Sequence, residues 1–417
     1  MNRQTRPPVP GLSGCGPYRQ HAADTLTPLR QRVYESVRSA GQIPRVDVAK
    51  HLNVSPASVT LQVSDLLRNG LLQEVEAPPP PGHRGRPPVA LSIRAQAGYV
   101  IGLKLSDANH TGVIIDLAGQ PVADTSVTRD PCRVSPEEIV NEASDLVAHL
   151  LARADLPEGK ILGVGLGLPG IVDHAEGVVN WSPILQGQGI QLAQLLTERL
   201  KLPVTIDNDA NLVTLAELWF GAGRARADFA VVTIEHGVGM GLVVDHQLYR
   251  GGGGLGMELG HTKVQLDGAL CRCGQRGCLE AYVADYALVR EASVALDLDR
   301  EKASSTGVLL DTLYEQAKAG NQAARMIFRR AGRFLALGLS NVVNLFDPPL
   351  VILAGERMRY DYLYAEDVLS AMKSLALSTG RVAPDVEINA WGDLVWARGA
   401  ATLALEAATV QLTDAPV

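Results

Sequence analysis

Three cysteines fall within eight positions of a 417-residue chain that holds only five, and glycines separate them. The segment Cys271-Arg272-Cys273-Gly274-Gln275-Arg276-Gly277-Cys278 follows Glu258-Leu259-Gly260-His261 after nine residues. Three thiolates and one imidazole complete a closed tetrahedral set, the donor chemistry of a structural zinc site rather than an open catalytic one. Gly274 and Gly277 let the backbone wrap tightly around an ion. So few cysteines in so long a chain do not make a disulfide framework. Glu258 and Glu280 flank the knot. A metal that fixes it would turn both carboxylates, and the second nitrogen of His261, toward a polyhydroxylated ligand. Without such a ligand they are solvated charges.

Charge divides the chain. Residues 1–95 carry 12 Lys and Arg against 6 Asp and Glu, a net of +6, while the whole chain is −7 and the remainder therefore −13. A basic head on an acidic body points to a polyanion for the head alone. No stretch is apolar enough to span a membrane, and the N-terminus lacks the apolar core of a secretory signal, so the expectation is a cytoplasmic protein.

Residues 1–25 have no periodicity and are expected to be disordered; 26–95 form the next unit. Leu29, Val33 and Val37 predict an amphipathic helix behind Thr27-Pro28. A second short helix is predicted over Arg45–Leu52, and Asn53-Val54 breaks it. Ser55 followed by Pro56 starts a third helix, which Asn69-Gly70 ends near Arg68. Val59, Val63, Leu66 and Leu67 form its apolar stripe, with Ser58, Thr60, Gln62 and Ser64 opposite. Short polar groups on such a face suit a major groove. Strands at Leu71–Val75 and Val89–Ile93 flank a Pro- and Gly-rich loop. There Arg84 and Arg86 suit phosphate contact or a narrow minor groove. The whole reads as a winged helix-turn-helix whose DNA contacts come from Ser55, Ser58, Thr60, Gln62, Arg84 and Arg86. Taken singly, its parts also fit an interaction module or a linker.

Residues 96–410 read as an α/β body. Strands at Tyr99–Leu105 and Thr111–Asp116, a helix near Pro136–Ala154 and a strand at Ile161–Leu168 fit a two-lobed, actin-like or sugar-kinase-like domain. Gly165 to Gly170 opens a glycine-rich loop. Asp207-Asn208-Asp209-Ala210-Asn211 lies between a strand and a helix, at the edge where α/β sheets bind ligands. Asp209 can accept from a hydroxyl, and Asn208 can donate and accept. Both also read as helix caps, and on spacing alone capping is the narrowly better account.

These motifs resemble the ROK family of repressors, open reading frames and sugar kinases. The resemblance rests on Glu258-x-Gly-His261, on Cys-x-Cys-Gly-x-x-Gly-Cys-x-Glu from 271 to 280, on Asn-Asp-Ala-Asn at 208–211, and on Leu-Pro-Gly-Ile-Val-Asp at 168–173. It implies zinc on His261, Cys271, Cys273 and Cys278 within the knot 258–280. It also implies sugar contacts from Asn208, Asp209, Glu258, His261 and Glu280, with Gly170 lining the pocket, and a homodimer or homotetramer. Family kinases carry Asp-x-Gly-Gly-Thr where this chain has Lys104-Leu105-Ser106-Asp107-Ala108. Asp107 would repel a triphosphate, and Glu235-His236 alters the second phosphate loop. Ile184 stands near a position where family kinases place an Asn. The expectation is a bacterial, sugar-responsive regulator of carbohydrate genes, without enzyme activity, binding double-stranded operator DNA. The sugar would sit between the lobes and shift operator affinity. The alternative is a ROK-type sugar kinase with a DNA-binding appendix.

Overall fold

The computed structural model describes residues 13–19, 26–76, 89–157, 159–296, 306–355, 358, 360–361, 366–389, 392 and 394–414. The winged region runs α1 (Leu29–Ala40), β1 (Ile43–Pro44), α2 (Arg45–Leu52), α3 (Pro56–Arg68), β2 (Leu72–Glu76) and β3 (Val89–Ile93). The body follows with β4 (Tyr99–Lys104), β5 (Asn109–Asp116), β6 (Pro121–Thr128), α4 (Pro136–Arg153), β7 (Ile161–Leu168), β8 (Ile171–Asp173), β9 (Val178–Trp181), α5 (Leu192–Leu200), β10 (Val204–Asn208) and α6 (Asp209–Phe220). Next come β11 (Phe229–Ile234), β12 (Val238–Val244), β13 (Gln247–Tyr249), α7 (Glu280–Val283), α8 (Asp285–Ala295), α9 (Thr306–Lys318) and α10 (Gln322–Phe346). The chain closes with β14 (Leu350–Ala354), α11 (Glu366–Leu375), β15 (Asp385–Asn389) and α12 (Leu394–Asp414). No helix among the described residues is long and apolar enough to cross a membrane.

Two compact units emerge. The first holds residues 1–227, 245–247 and 393–417, the second 228–244 and 248–392. In the first, a three-stranded sheet β1-β3-β2 backs the head, and a five-stranded sheet β10-β7-β4-β5-β6 forms the lobe. Ser55 caps α3 through its Oγ, which accepts the Ser58 N–H at 3.1 Å, and Pro56 occupies the first turn. Asn53 and Gly70 take left-handed backbone, as the breaks after α2 and α3 require. Val59, Val63 and Leu66 are fully buried, and Asp65 joins α3 to α1 through Arg30 at 3.0 Å. The wing lies outside the described residues, and Arg84 and Arg86 with it. The expected disorder of residues 1–25 does not extend to Ser13–Arg19, which pack against the head and the lobe.

The helix α12 lies on the central strands of the lobe sheet because the facing positions are glycines. A Cβ on Gly102 would come within 2.0 Å of the Ala397 carbonyl, and one on Gly165 within 1.8 Å of the Ala400 carbonyl. Gly399 gives α12 the same closeness to α6, where a Cβ would meet the Leu212 carbonyl at 1.9 Å. Small residues on a buried helix therefore set the spacing of the whole layer.

In the second unit, β13-β12-β11-β14-β15 form one sheet, antiparallel at the β11–β12 hairpin and parallel through β14 and β15. Its core runs through α8, α9 and α10, with Tyr282 stacked on Phe334 at 3.9 Å between ring centroids. Gly338 of α10 leaves the room that Leu279 fills beside the cysteine knot.

Candidate metal knot, effector residues and DNA-reading head

The four expected ligands converge. One ligand atom from each of His261, Cys271, Cys273 and Cys278 lies within 4.8 Å of the others. His261 Nδ1 is 3.7 Å from Cys271 Sγ, and Cys273 Sγ is 3.7 Å from Cys278 Sγ. A tetrahedral ion with bonds of about 2.3 Å to sulfur and about 2.0 Å to nitrogen puts ligand atoms about 3.5–3.8 Å apart. The residues therefore fit a metal of that size. Local backbone explains the convergence. Cys271 N–H donates to Gln275 O at 2.8 Å, and Gly274 N–H to Cys271 O at 3.0 Å. Gly277 sits at φ +78°, and a Cβ there would lie 1.8 Å from Gln265 O. Lys263, not singled out from the sequence, donates to Cys278 Sγ at 2.9 Å, and that bond raises the affinity of its ammonium for its proton.

The flanking acids occupy two different settings. Glu258 Oε2 is 4.0 Å from His261 Nε2, so the nitrogen turned away from the thiols faces a carboxylate. Glu280 starts α7; its Oε1 accepts from Tyr286 O–H at 3.4 Å, and its Oε2 faces the Val238 N–H at 3.4 Å. A Cβ on Gly237 would come within 2.8 Å of the same Oε2. Tyr286 also touches Cys271 Sγ at 3.5 Å, which ties Glu280 to the knot. Spacing alone did not single out Tyr286.

Gly170, Asn208 and Asp209 cluster in the first unit. Parallel pairing sets Asn208 opposite Leu168, so the C-terminal edge of the sheet carries Asn208 beside the turn that holds Gly170. Gly170 lies at φ +127°, where a Cβ would strike Trp181 O at 2.2 Å. Ser182 Oγ donates to Pro169 O at 2.7 Å and holds that turn. Asn208 Oδ1 accepts the Asn211 N–H at 2.8 Å, so the capping reading holds and the Nδ2 donor is what this residue has to offer a ligand. Asp209 Oδ1 accepts the Ala210 N–H at 2.9 Å. The neighbouring Asp207, part of the same motif but given no role of its own from the sequence, is buried and accepts from Asn208 N at 2.8 Å and Asn211 Nδ2 at 2.8 Å. His174 braces the same edge through Ile206 O at 2.8 Å. Ile184 is a core residue, 1% exposed, which is why an apolar side chain occupies it.

The Lys104–Ala108 segment closes on itself. Leu105 N–H donates to Gly167 O at 2.8 Å, Ser106 N–H to His110 Nδ1 at 3.2 Å, and Asn109 N–H to Ser106 Oγ at 3.2 Å. The Lys104 ammonium lies 3.6 Å above the Trp396 ring. The Leu105 N–H is thus engaged by the neighbouring strand and the Ser106 N–H by the His110 ring, whereas a phosphate cradle needs its N–H groups directed outward.

On α3, the hydroxyls of the expected reading face are exposed or half-buried but tied back. Thr60 Oγ1 donates to Pro56 O at 2.8 Å, and Ser55 and Ser58 Oγ are 2.8 Å apart. Each keeps lone pairs for accepting. Gln62 is half-buried on the same helix. Leu61, missed because it breaks the polar pattern, is 69% exposed among these residues.

The ROK family model matches residues 100–407. The chain is 28% identical over 337 residues to the xylose repressor of Caldicellulosiruptor bescii, spanning 78% of this chain and 82% of that protein. It is 28% identical over 323 residues to the DNA-binding transcriptional repressor Mlc of Escherichia coli, spanning 77% and 79%. A solved ROK family transcriptional regulator, described as a homologue of the E. coli MLC protein, superposes with a TM-score of 0.75 at 23% identity over 92% of this chain and 96% of that one. The ROK hexokinase of Thermus thermophilus superposes at 0.62 with 28% identity, over 74% of this chain and 99% of its own. A two-lobe α/β body with a Cys3His knot, a glycine-set turn beside Asn208 and a family match over most of its length place this chain in the ROK family.

Proposed function

We propose that this ROK protein is a DNA-binding transcriptional repressor whose operator affinity answers to a sugar or sugar derivative. The observation that carries the reading is α3: a helix capped by Ser55, buried through Val59 and Val63, with an outward face of Ser58, Thr60, Leu61 and Ser64. That face suits base edges and thymine methyl groups in a major groove. The engaged N–H groups of Leu105 and Ser106 favour a regulator over an active kinase. A homodimer or homotetramer would present paired heads to operator half-sites. The curated relatives named as sugar repressors support the same reading.

In this proposal the Cys3His knot holds zinc, whose chemistry is to fix the ligand set and not to activate water. In the first unit, Asn208 Nδ2, the Asp209 carboxylate and the Gly170 turn are the sugar contacts of this proposal; in the second unit they are the carboxylates of Glu258 and Glu280 and His261 Nε2. Asp209, which stands where family kinases keep their base, serves as a hydroxyl acceptor. The protein acts in the bacterial cytoplasm.

A coupled ADP-release assay over monosaccharides and amino sugars tests the reading against its kinase rival. No turnover is expected, and turnover on any sugar overturns the repressor-only account. Asp209→Ala and Glu258→Ala are expected to bind operator like the wild type while losing the sugar response. Retained response in both would remove them from the site. Arg84→Ala with Arg86→Ala should weaken operator binding and reduce the salt slope of log K by about 2, at roughly 0.9 per phosphate contact. An unchanged slope would take the wing off the phosphates.

A further inference from the structure

Ser13–Arg19 is not a loose leader. Cys15 N–H donates to Arg38 O at 3.1 Å at the end of α1. Gly16 N–H donates to Trp219 O at 2.9 Å near the end of α6, and Tyr18 N–H to Arg224 O at 2.8 Å in the turn beyond it. Arg224 returns the contact, donating Nε to Gly16 O at 3.2 Å and Nη2 to Ser39 O at 2.8 Å. The Tyr18 ring stacks on His51 of α2 at 5.0 Å, and His51 Nε2 pairs with Arg19 O. Seven residues thus bind α1, α2 and the far end of α6 at once.

The seat is shaped for this segment. A Cβ on Gly14 would lie 1.9 Å from Arg38 O, and one on Gly119, at φ +78°, would lie 2.5 Å from Cys15 Sγ. Cys15 is 2% exposed, and burial pushes its thiol up despite the guanidinium groups of Arg38, Arg224 and Arg398. Arg38 spans the junction, donating to Thr409 Oγ1 of α12 at 2.6 Å and lying 4.5 Å over the Trp219 ring.

The opposite end of α6 begins at Asn208 and Asp209. The helix has 12 residues, about 18 Å at 1.5 Å per residue, and it is one rigid rod. We propose that α6 and the Ser13–Arg19 strap form the device that carries effector binding at Asn208 and Asp209 to the DNA-reading helices. This rests on the sugar-responsive repressor reading and supplies its internal lever. An effector that moves the N-terminal end of α6 moves Trp219 and Arg224, and with them the two backbone bonds that the strap makes to their carbonyls. The strap then changes its hold on α1 and α2. Linkage makes this reciprocal: DNA on the head must alter the strap as well. The test of such a path is a measured coupling and not proximity.

The experiment uses the full-length protein carrying Cys132→Ser, which removes an exposed thiol outside both sites. Cys15 alkylation by iodoacetamide is followed by peptide mass spectrometry, alone, with an operator duplex selected from genomic fragments, and with D-xylose, D-glucose or N-acetylglucosamine. The expected result is a change of at least threefold in the Cys15 rate with duplex, and a change in the opposite direction with any sugar that weakens DNA binding. Gly14→Ala should speed alkylation at least tenfold and bring the sugar-induced change in operator Kd below twofold, with sugar affinity by calorimetry unchanged. Should Gly14→Ala leave the strap docked, Gly16→Val at φ +93° against Trp219 is the second variant, with the same expectation. A Cys15 rate indifferent to duplex in a protein that binds it overturns the proposal. So does a fast-alkylating variant that keeps the full sugar response. A wild-type protein that binds no duplex overturns the repressor reading itself, and the same assay reports that separately.

Discussion

Cys278→Ser is expected to empty the knot of its metal and to cut sugar affinity by about 100-fold, while operator binding stays within about threefold. The asymmetry follows from where the parts lie. Cys278 belongs to the second unit, and the head and its strap to the first. A complete structural zinc site in small zinc-dependent peptides is worth roughly 10–16 kcal/mol, and losing one of its thiolates opens the closed ligand set and removes a substantial part of that. In the proposed zinc-bound state the ion would add to the bonds that already shape this stretch, such as Cys271 N to Gln275 O and the Ala269 N–H to Tyr282 O–H contact, and fix the side chains that point at it. Without the metal His261 loses its fixed ring, Glu258 loses its neighbour, and Glu280 keeps only Tyr286 and the Val238 N–H. Metal content by mass spectrometry, sugar titration by calorimetry and duplex binding by anisotropy read the three effects. A metal-free variant with wild-type sugar affinity would separate the knot from recognition.

Gly165→Val carries the second large effect, a loss of about 3 kcal/mol or outright failure of the first unit to fold. The glycine faces backbone, the Ala400 carbonyl of α12, with 1.8 Å available to a Cβ. Overpacking a core costs about 1–3 kcal/mol when side chains can yield, and here the obstacle is a helix that cannot. That helix also sets the position of α6 through Gly399, so the damage spreads to Asn208 and Asp209. Urea denaturation of the soluble fraction measures it. The Gly159→Val control, with nothing within 4 Å of its Cβ but φ at +72°, should cost about 1–2 kcal/mol of backbone strain alone. Equal losses at the two positions would deny α12 its close seat.

How much of this was legible in the sequence depends on how local each determinant is. The helices Arg45–Leu52 and Pro56–Arg68 and the strands Val89–Ile93 and Ile161–Leu168 match the structure end for end, because caps, glycine breaks and unbroken apolar runs act within a few residues. The helix behind Asn208 starts three residues earlier than read, since Asp209 fills the first turn rather than the loop before it. The ligand knot was readable because its four donors and their glycines are close in sequence. Asp207, Tyr286 and Lys263 were not, since each earns its role only through a partner brought in by the fold. The strap was the largest miss. Ser13–Arg19 has no periodicity of its own and reads as a tail, while its order comes from backbone groups about 200 residues away.

The account turns on one linkage between a bound sugar and a bound duplex. Fluorescence anisotropy of a labelled operator fragment, titrated with the full-length, zinc-loaded protein with and without saturating sugar, reads it directly. The account predicts that one sugar shifts operator Kd at least tenfold, with no nucleotide consumed. A protein that binds both a sugar and the duplex, yet shows the same Kd in the presence and absence of every sugar it binds, would contradict it.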